Sequence, residues 1–125
     1  MAKRYDILYV DDEQDNLMAF KAVFRRSFNV YTALSGKEAI ALLKTQRVDL
    51  ILSDQRMPEM TGLEFFECIK QEYPQIVRMV VTGYSEMGPI HTALERGNIN
   101  HYLTKPWDVD QLKETIEEAL TTSSH

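Results

Sequence analysis

Three aspartates end short apolar runs of the chain, at positions where their carboxylates could act together. Asp11 and Asp12 end one such run, and Asp54 stands at the end of another. Carboxylates confined to one pocket repel one another unless a cation neutralises them. An all-oxygen ligand set that leaves room for water suits Mg²⁺. If the fold brings the three side chains together, the sequence predicts a Mg²⁺ site.

A hydroxyl and an ammonium group follow two further apolar runs, at Thr82 and Lys105. A carboxylate can accept a phosphoryl group when a metal ion and cationic groups neutralise the charge on its equatorial oxygens. Taken singly, Thr82 is an ordinary strand residue, Lys105 an exposed charge, and each aspartate a turn residue or helix cap. Taken together, they predict that Asp54 accepts a phosphoryl group.

The elements that must position these residues are legible as short apolar runs alternating with longer helix-periodic stretches. The runs are Ile7 to Val10, Val30 to Ala33, Leu50 to Leu52, Val77 to Val81 and Tyr102 to Leu103. Right-handed crossovers between such strands require a mostly parallel sheet that is covered on both faces. We therefore predict a doubly wound (βα)5 three-layer α/β sandwich. A strand order of 2-1-3-4-5 would place all three carboxylates side by side.

Capping-box spacing marks the starts of three helices. The pairs are Ser35 with Glu38, Thr61 with Glu64, and Asp108 with Gln111. The sequence does not decide where the fourth helix starts, because Ser85, Gly88 and Pro89 are each compatible with a helix start.

Composition favours one domain and excludes several classes of protein. A chain of 125 residues with 44% hydrophobic content can build a single core without disulfides. Cys68 is the only cysteine, which excludes an internal disulfide and suits a reducing cytoplasm. The first apolar run is too short for a membrane span. A net charge of -5 argues against direct binding of nucleic acid.

The domain is expected to occupy residues 1–120. The polar residues 121–125 are expected to form a flexible tail or the start of a linker to an output domain in a longer parent chain.

The chain resembles the receiver domain of two-component response regulators, which are CheY-like proteins, along nearly its whole length. The resemblance is carried by four motifs in order: VDDE at 10–13, SDQRMPEMTG at 53–62, VTGY at 81–84 and YLTKP at 102–106. The second motif is the most specific of the four. Within it, Pro58 and Gly62 are expected to fix a sharp loop after the third strand.

The resemblance implies a metal site and an acceptor. Asp54 would be the phosphoacceptor, and Asp11 and Asp12 would hold Mg²⁺ directly or through water. The backbone carbonyl of Arg56 would complete the protein ligands. Lys105 would contact the phosphoryl oxygens.

The resemblance also implies a switch. A cis peptide at Pro106 would fix the loop that carries the lysine. Thr82 would move to hydrogen-bond the phosphoryl group, and Tyr102 would turn inward after it. The output face would comprise helix four, strand five and helix five. From the residues alone, Tyr102 fits simple packing as well as a switch.

The partners implied are a histidine kinase or histidine phosphotransfer protein as donor and an output domain, with a homodimer on phosphorylation. Trp107 after Pro106 looks like receivers attached to larger regulators, including cyclic-nucleotide enzymes and activators of transcription.

A phosphorylation-independent interaction domain is the main alternative. A flavodoxin-like cofactor binder is disfavoured, because the acidic doublet replaces a phosphate cradle. An aspartyl phosphatase is disfavoured because Arg56 stands where it needs a second acid.

One segment departs from the family pattern. Receivers usually carry a Gly-Ala pair shortly before the fifth strand, whereas residues 97–101 here read GNINH. This more polar segment predicts an unusual signalling face. His101 and His91 are interpreted as surface or partner-contact residues, because no nucleophile accompanies them.

Overall fold

The computed structural model describes residues 4–83 and 87–123. Within them, strands and helices alternate along the chain. The strands are Asp6–Val10 (β1), Asn29–Ala33 (β2), Leu50–Asp54 (β3), Val77–Thr82 (β4) and His101–Thr104 (β5). The helices are Gln14–Phe24 (α1), Gly36–Leu43 (α2), Gly62–Ile69 (α3), Met87–Glu95 (α4) and Val109–Ser123 (α5).

The strands form one parallel sheet in the order β2-β1-β3-β4-β5, which confirms the predicted fold class. Val10 at the end of β1 lies opposite Ser53 in β3, and Asp54 lies opposite Val81 in β4. The carboxyl ends of the three central strands therefore meet at one edge of the sheet, where parallel α/β proteins place their ligands.

Two apolar layers cover the sheet because successive strand side chains point to opposite faces. In β1, Ile7 and Tyr9 face one layer, where the buried side chains of α1 and α5 pack. Leu8 and Val10 face the other layer, where α2, α3 and α4 pack. Successive side chains of β1 therefore alternate between the layer that contains α1 and the layer that contains α2, α3 and α4.

The predicted helix starts at three positions are confirmed by their hydrogen bonds. The Glu38 amide donates to Ser35 Oγ at 3.1 Å, and the Gln111 amide donates to Asp108 Oδ2 at 3.1 Å. Thr61 and Glu64 form a complete capping box before α3. Each cap satisfies amide groups that the first turn of a helix leaves unpaired.

The described part of the fourth helix begins at Met87 and includes Gly88 and Pro89. Ser85, the other candidate start, and Tyr84, the last residue of the third motif, lie outside the described residues. The last helix runs through Ser123, three residues past the domain boundary expected at residue 120. No helix among residues 4–83 and 87–123 is long and apolar enough to cross a bilayer.

A buried arginine explains the polar segment before β5. Arg78 in β4 is 6% exposed, and burial lowers the pKa of its guanidinium. The guanidinium donates to the carbonyl oxygens of Ile76, Gly97 and Asn98 at 2.9–3.0 Å. The backbone amide of Arg78 donates to Asn100 Oδ1 at 2.7 Å. The carbonyls after α4 also carry the negative end of the helix dipole, which favours a cation there.

Candidate functional site

The fold brings the three predicted aspartates into one acidic pocket. Asp11 and Asp12 follow the end of β1, and Asp54 is the last residue of β3. One carboxylate oxygen from each residue lies within 4.8 Å of the others. Asp11 is fully buried and Asp54 is 6% exposed, whereas Asp12 is exposed to solvent. The pocket can therefore hold a metal ion that remains open to water on the Asp12 side.

Asp11 is held by three donors. The Glu13 amide donates to Asp11 Oδ1 at 2.9 Å. The Tyr9 hydroxyl and Asn16 Nδ2 donate to Asp11 Oδ2 at 2.8 Å and 3.1 Å. Burial first, and then the nearby charge of Asp11, raise the pKa of Tyr9, so its phenol keeps the proton that it donates.

Asp54 forms an ion pair with Lys105, whose Nζ lies 2.8 Å from Asp54 Oδ1. Burial raises the pKa of Asp54, the Lys105 ammonium lowers it, and the charge of Asp11 raises it again, with a net upward shift. The Lys105 side chain is 44% exposed, so its ammonium remains accessible to solvent. The buried Asp54 carboxylate therefore faces a cation that neutralises its charge.

Thr82 is buried at the end of β4, next to the pocket. Its carbonyl accepts a hydrogen bond from the Lys105 amide at 2.9 Å. This bond connects the loop after β5, which carries Lys105 and is called the lysine loop below, to β4. The Thr82 hydroxyl donates to the carbonyl of Gly83 at 3.1 Å, so in this structure its proton is turned toward the loop rather than toward Asp54. The structure thus places Thr82 beside the acidic pocket, with its hydroxyl bonded to Gly83 and not to Asp54.

Tyr102 lies on β5 and is half-buried against the layer formed by α2, α3 and α4. Its ring centroid is 6.1 Å from that of His91 on α4. The contact joins the outer strand of the sheet to α4, two of the three elements of the predicted output face.

The loop between β3 and α3 packs closely against the backbone of Asp54. The Gly62 amide donates to the carbonyl of Gln55 at 3.0 Å, and the Leu63 amide donates to Gln55 Oε1 at 2.9 Å. A Cβ atom on Gly62 would lie 2.6 Å from the carbonyl oxygen of Asp54. Gln55 is therefore occupied as a cap for α3, and only glycine fits at position 62.

Two other predicted residues of this loop are exposed. The Arg56 side chain follows Asp54 by two residues and faces solvent, as does Pro58. Glu59, next to Pro58, has a backbone φ of 69°, in the left-handed region that a non-glycine residue rarely adopts. The backbone thus turns sharply a few residues after Asp54.

The lysine loop leads into Trp107, which belongs to a group of packed aromatic rings. The Lys105–Pro106 peptide bond is cis, as predicted. The Trp107 ring lies 6.5 Å from that of Phe20, and Phe20 stacks on Tyr9 at 4.4 Å. Trp107 therefore packs against α1, and a surface hollow of about 320 Å³ opens beside the pocket, lined in part by Asn16 and Lys105.

Sequence reasoning did not identify the partners of Asp11. Tyr9 stands two positions before Asp11 on the same strand, so the two-residue period of a strand was a signal that their side chains share a face. Asn16 comes from α1, and nothing local in the sequence connects it to Asp11.

Comparison with known proteins agrees with this geometry. The family model of the response regulator receiver domain matches residues 7–117. The hydrogenase transcriptional regulatory protein HoxA of Cupriavidus necator is 39% identical over 118 residues, which are 94% of this chain but 24% of HoxA. Sporulation initiation phosphotransferase F of Bacillus subtilis is 28% identical and is aligned over 95% of this chain and 96% of its own length.

Solved structures share the fold closely. A CheY-like response regulator receiver domain protein from Methanospirillum hungatei JF-1 superposes with a TM-score of 0.89 at 27% identity, covering 97% of each chain. The structure described as adenylate cyclase from Rhodopirellula baltica gives a TM-score of 0.93 at 29% identity, covering 97% of this chain and 90% of the other. Because the family match spans nearly the whole chain and the strand order agrees, this chain belongs to the response regulator receiver domains of two-component signalling.

Proposed function

We propose that the chain accepts a phosphoryl group on Asp54 in a Mg²⁺-dependent reaction and thereby switches an output face. The observation that carries the proposal is the buried Asp54 carboxylate, which lies within 4.8 Å of the acidic doublet and 2.8 Å from the Lys105 ammonium. A nucleophilic carboxylate needs cations on both sides of the incoming phosphoryl group, because negative charge spreads over its equatorial oxygens.

The donor set fits a hard divalent cation. Its ligands are carboxylate oxygens that lie within 4.8 Å of one another, and hard cations such as Mg²⁺ prefer oxygen ligands of this kind. Asp11, Asp12, Asp54 and the carbonyl of Arg56 would hold Mg²⁺. When bound, the ion would neutralise the carboxylates and the phosphoryl oxygens.

The residues of the chain then have separate tasks. A carboxylate oxygen of Asp54 attacks phosphorus, an O–P bond forms, and the N–P bond to the donor imidazole breaks. Lys105 leaves its ion pair with Asp54 and contacts the phosphoryl oxygens. Thr82, whose hydroxyl now donates to Gly83, turns to donate to the phosphoryl group.

The switch would extend from Thr82 to the outer edge of the sheet. Thr82 and Thr104 are opposite residues of β4 and β5, and Tyr102 lies on the same outer strand. Movement of Thr82 empties space that Tyr102 can fill, which would change the face formed by α4, β5 and α5. The two packings need differ by only a few kcal/mol for a new anion to select one of them.

The proposed donor is a histidine kinase or a histidine phosphotransfer protein, and the proposed parent chain carries an output domain. The chain spans about a quarter of HoxA, a regulator of transcription by its name, which supports an output domain of some kind. Dimerisation on phosphorylation is part of the proposal. So is a cytoplasmic location, where an exposed thiol such as Cys68 stays reduced.

Incubation with acetyl phosphate and Mg²⁺, followed by intact mass spectrometry, tests the proposal. One phosphoryl group should be added to the wild type and to Asp110→Asn, which alters an exposed aspartate on α5. None should be added to Asp54→Asn or in the presence of EDTA. Ca²⁺ is the control cation, since it prefers similar ligands but longer bonds. An unmodified wild type under all donors would refute the proposal.

A further inference from the structure

The buried hydroxyl of Tyr9 is the feature of the site that the phosphoryl-transfer scheme leaves without a task. Tyr9 is 3% exposed and stacks on Phe20 with a ring separation of 4.4 Å. Its hydroxyl donates to Asp11 Oδ2 at 2.8 Å. Because the ring packs within the α1 layer, the hydroxyl oxygen cannot move away from Asp11 without disturbing the core.

The hydrogen bonds of Asp11 can be counted against its capacity. An ionised carboxylate offers about four acceptor positions, two on each oxygen. Tyr9 and Asn16 together occupy those of Oδ2. The amide of Glu13 occupies one position of Oδ1. One acceptor position of Oδ1 therefore stays available to a cation or to its water.

With the Tyr9 hydroxyl, the Asn16 side chain and the Glu13 amide as donors, the Asp11 carboxylate is held in one orientation before any cation arrives. Loss of the Tyr9 hydroxyl removes the one donor among them that comes from a buried side chain. Groups that hydrogen-bond a metal ligand orient that ligand, and their loss typically weakens metal binding by about 10–100-fold. The fixed geometry also lowers the ordering cost of binding.

We propose that Tyr9, together with Asn16, is a positioning residue for the metal site, holding Asp11 so that a single Oδ1 position faces the divalent cation. This inference rests on the Mg²⁺ site of the proposed function and deepens it. Tyr9 contacts neither the phosphoryl group nor the acceptor in this scheme. Its contribution should therefore appear in the affinity for Mg²⁺ rather than in the maximal rate of phosphorylation.

The primary test is a Mg²⁺ titration of Tyr9→Phe without any phosphodonor. Binding is monitored through the amide chemical shifts of isotopically labelled protein. The dissociation constant should rise about ten-fold relative to the wild type. Tyr31→Phe is the matched control, because Tyr31 is also a strand tyrosine but packs on the opposite layer of the sheet. It should bind Mg²⁺ as the wild type does. Equal affinities for Tyr9→Phe and the wild type would overturn the inference.

The rate of phosphorylation by acetyl phosphate separates positioning from a general structural defect. In Tyr9→Phe the Mg²⁺ concentration for half-maximal rate should rise about ten-fold, while the rate at saturating Mg²⁺ returns to that of the wild type. A maximal rate that stays low at saturating Mg²⁺ would contradict a positioning role.

Asn16→Ala keeps the inference testable if Tyr9→Phe folds poorly, because Asn16 is exposed on α1. It should also weaken Mg²⁺ binding, but less, since water can replace an exposed donor. Unchanged affinity in Asn16→Ala together with a Tyr9→Phe that fails to fold would count against the inference. A wild type that does not bind Mg²⁺ would instead refute the proposed metal site and the inference with it.

Discussion

Gly62 is the position where a single methyl group should disturb both folding and the acceptor. In Gly62→Ala, the added Cβ would lie 2.6 Å from the carbonyl oxygen of Asp54, 3.1 Å from Ser53 Oγ and 3.2 Å from Val80 Cγ2. The nearest of these atoms is backbone, so neither a rotamer change nor a flexible side-chain end can relieve the overlap. Either α3 must move away from the sheet, or the end of β3 must move.

The magnitude follows from two opposing terms. Inserting a carbon into a packed interior typically costs about 1–3 kcal/mol. Alanine is favoured over glycine in a helix interior by about 1 kcal/mol, but Gly62 is the first residue of α3, so only a fraction of that preference offsets the cost. The expected net loss of unfolding free energy is about 1–2 kcal/mol. For a chain of this size, that corresponds to a fall in the melting temperature of about 4–8 °C.

Urea denaturation followed by circular dichroism measures this loss, and the rate of modification by acetyl phosphate reports on the acceptor. The rate should fall in Gly62→Ala, because the displaced carbonyl belongs to Asp54 itself. Gly88→Ala is the matched control, since Gly88 lies in α4 and a Cβ there meets nothing within 4 Å, so its stability should stay unchanged or rise by up to about 1 kcal/mol.

Equal stability of Gly62→Ala and the wild type would refute the steric reasoning. A destabilised variant that is modified at the wild-type rate would refute the link to the acceptor, because it would show that α3 absorbs the whole displacement.

Three further outcomes are expected. Arg78→Met should lower the unfolding free energy in urea by about 2 kcal/mol, because it leaves buried carbonyls unpaired, and Arg78→Lys should recover only part of the loss. Gly97→Ala should cost about 1–2 kcal/mol in the same assay, because Gly97 has a φ of 75°. Asp54→Asn should be more stable than the wild type at pH 7 without Mg²⁺, because burial raises the pKa of Asp54 in the folded state. A raised pKa gives stability that is present below the unfolded value of about 3.9 and is lost as pH rises through the folded value. The advantage of Asp54→Asn should therefore vanish at low pH.

Each of these outcomes has a clear contradiction. An unchanged Arg78→Met would show that removing a buried charge compensates for the unpaired carbonyls. An unchanged Gly97→Ala would show that the turn after α4 relaxes easily. An Asp54→Asn variant less stable than the wild type at pH 7 would show that the ion pair with Lys105 outweighs burial.

The sheet and the acidic pocket could be predicted because both follow from local pattern. Apolar runs locate the strands, and parallel pairing brings the residue after each strand to the same edge. Asp11 and Asp54 meet for that reason alone. The Ser35 cap of α2 and the capping box of α3 were equally local.

Contacts that depend on tertiary packing could not be predicted in this way. Arg78 is a charged residue in a buried strand, and two of its three carbonyl partners lie about 20 residues away along the chain. The direction of the Thr82 hydroxyl depends on one rotatable bond, which sequence does not specify. The role of Gln55 as a cap for α3 could not be predicted either, because it depends on how the loop between β3 and α3 folds.

The exposed Cys68 on α3 gives the chain a natural attachment point for a reporter dye. It is the only cysteine in the sequence, so a thiol-reactive fluorophore modifies one defined position without any engineered substitution. Trp107, the only tryptophan, packs against α1 on the other side of the sheet. Energy transfer from Trp107 to a dye on Cys68 would therefore be measured across the thickness of the sheet in the otherwise unaltered chain.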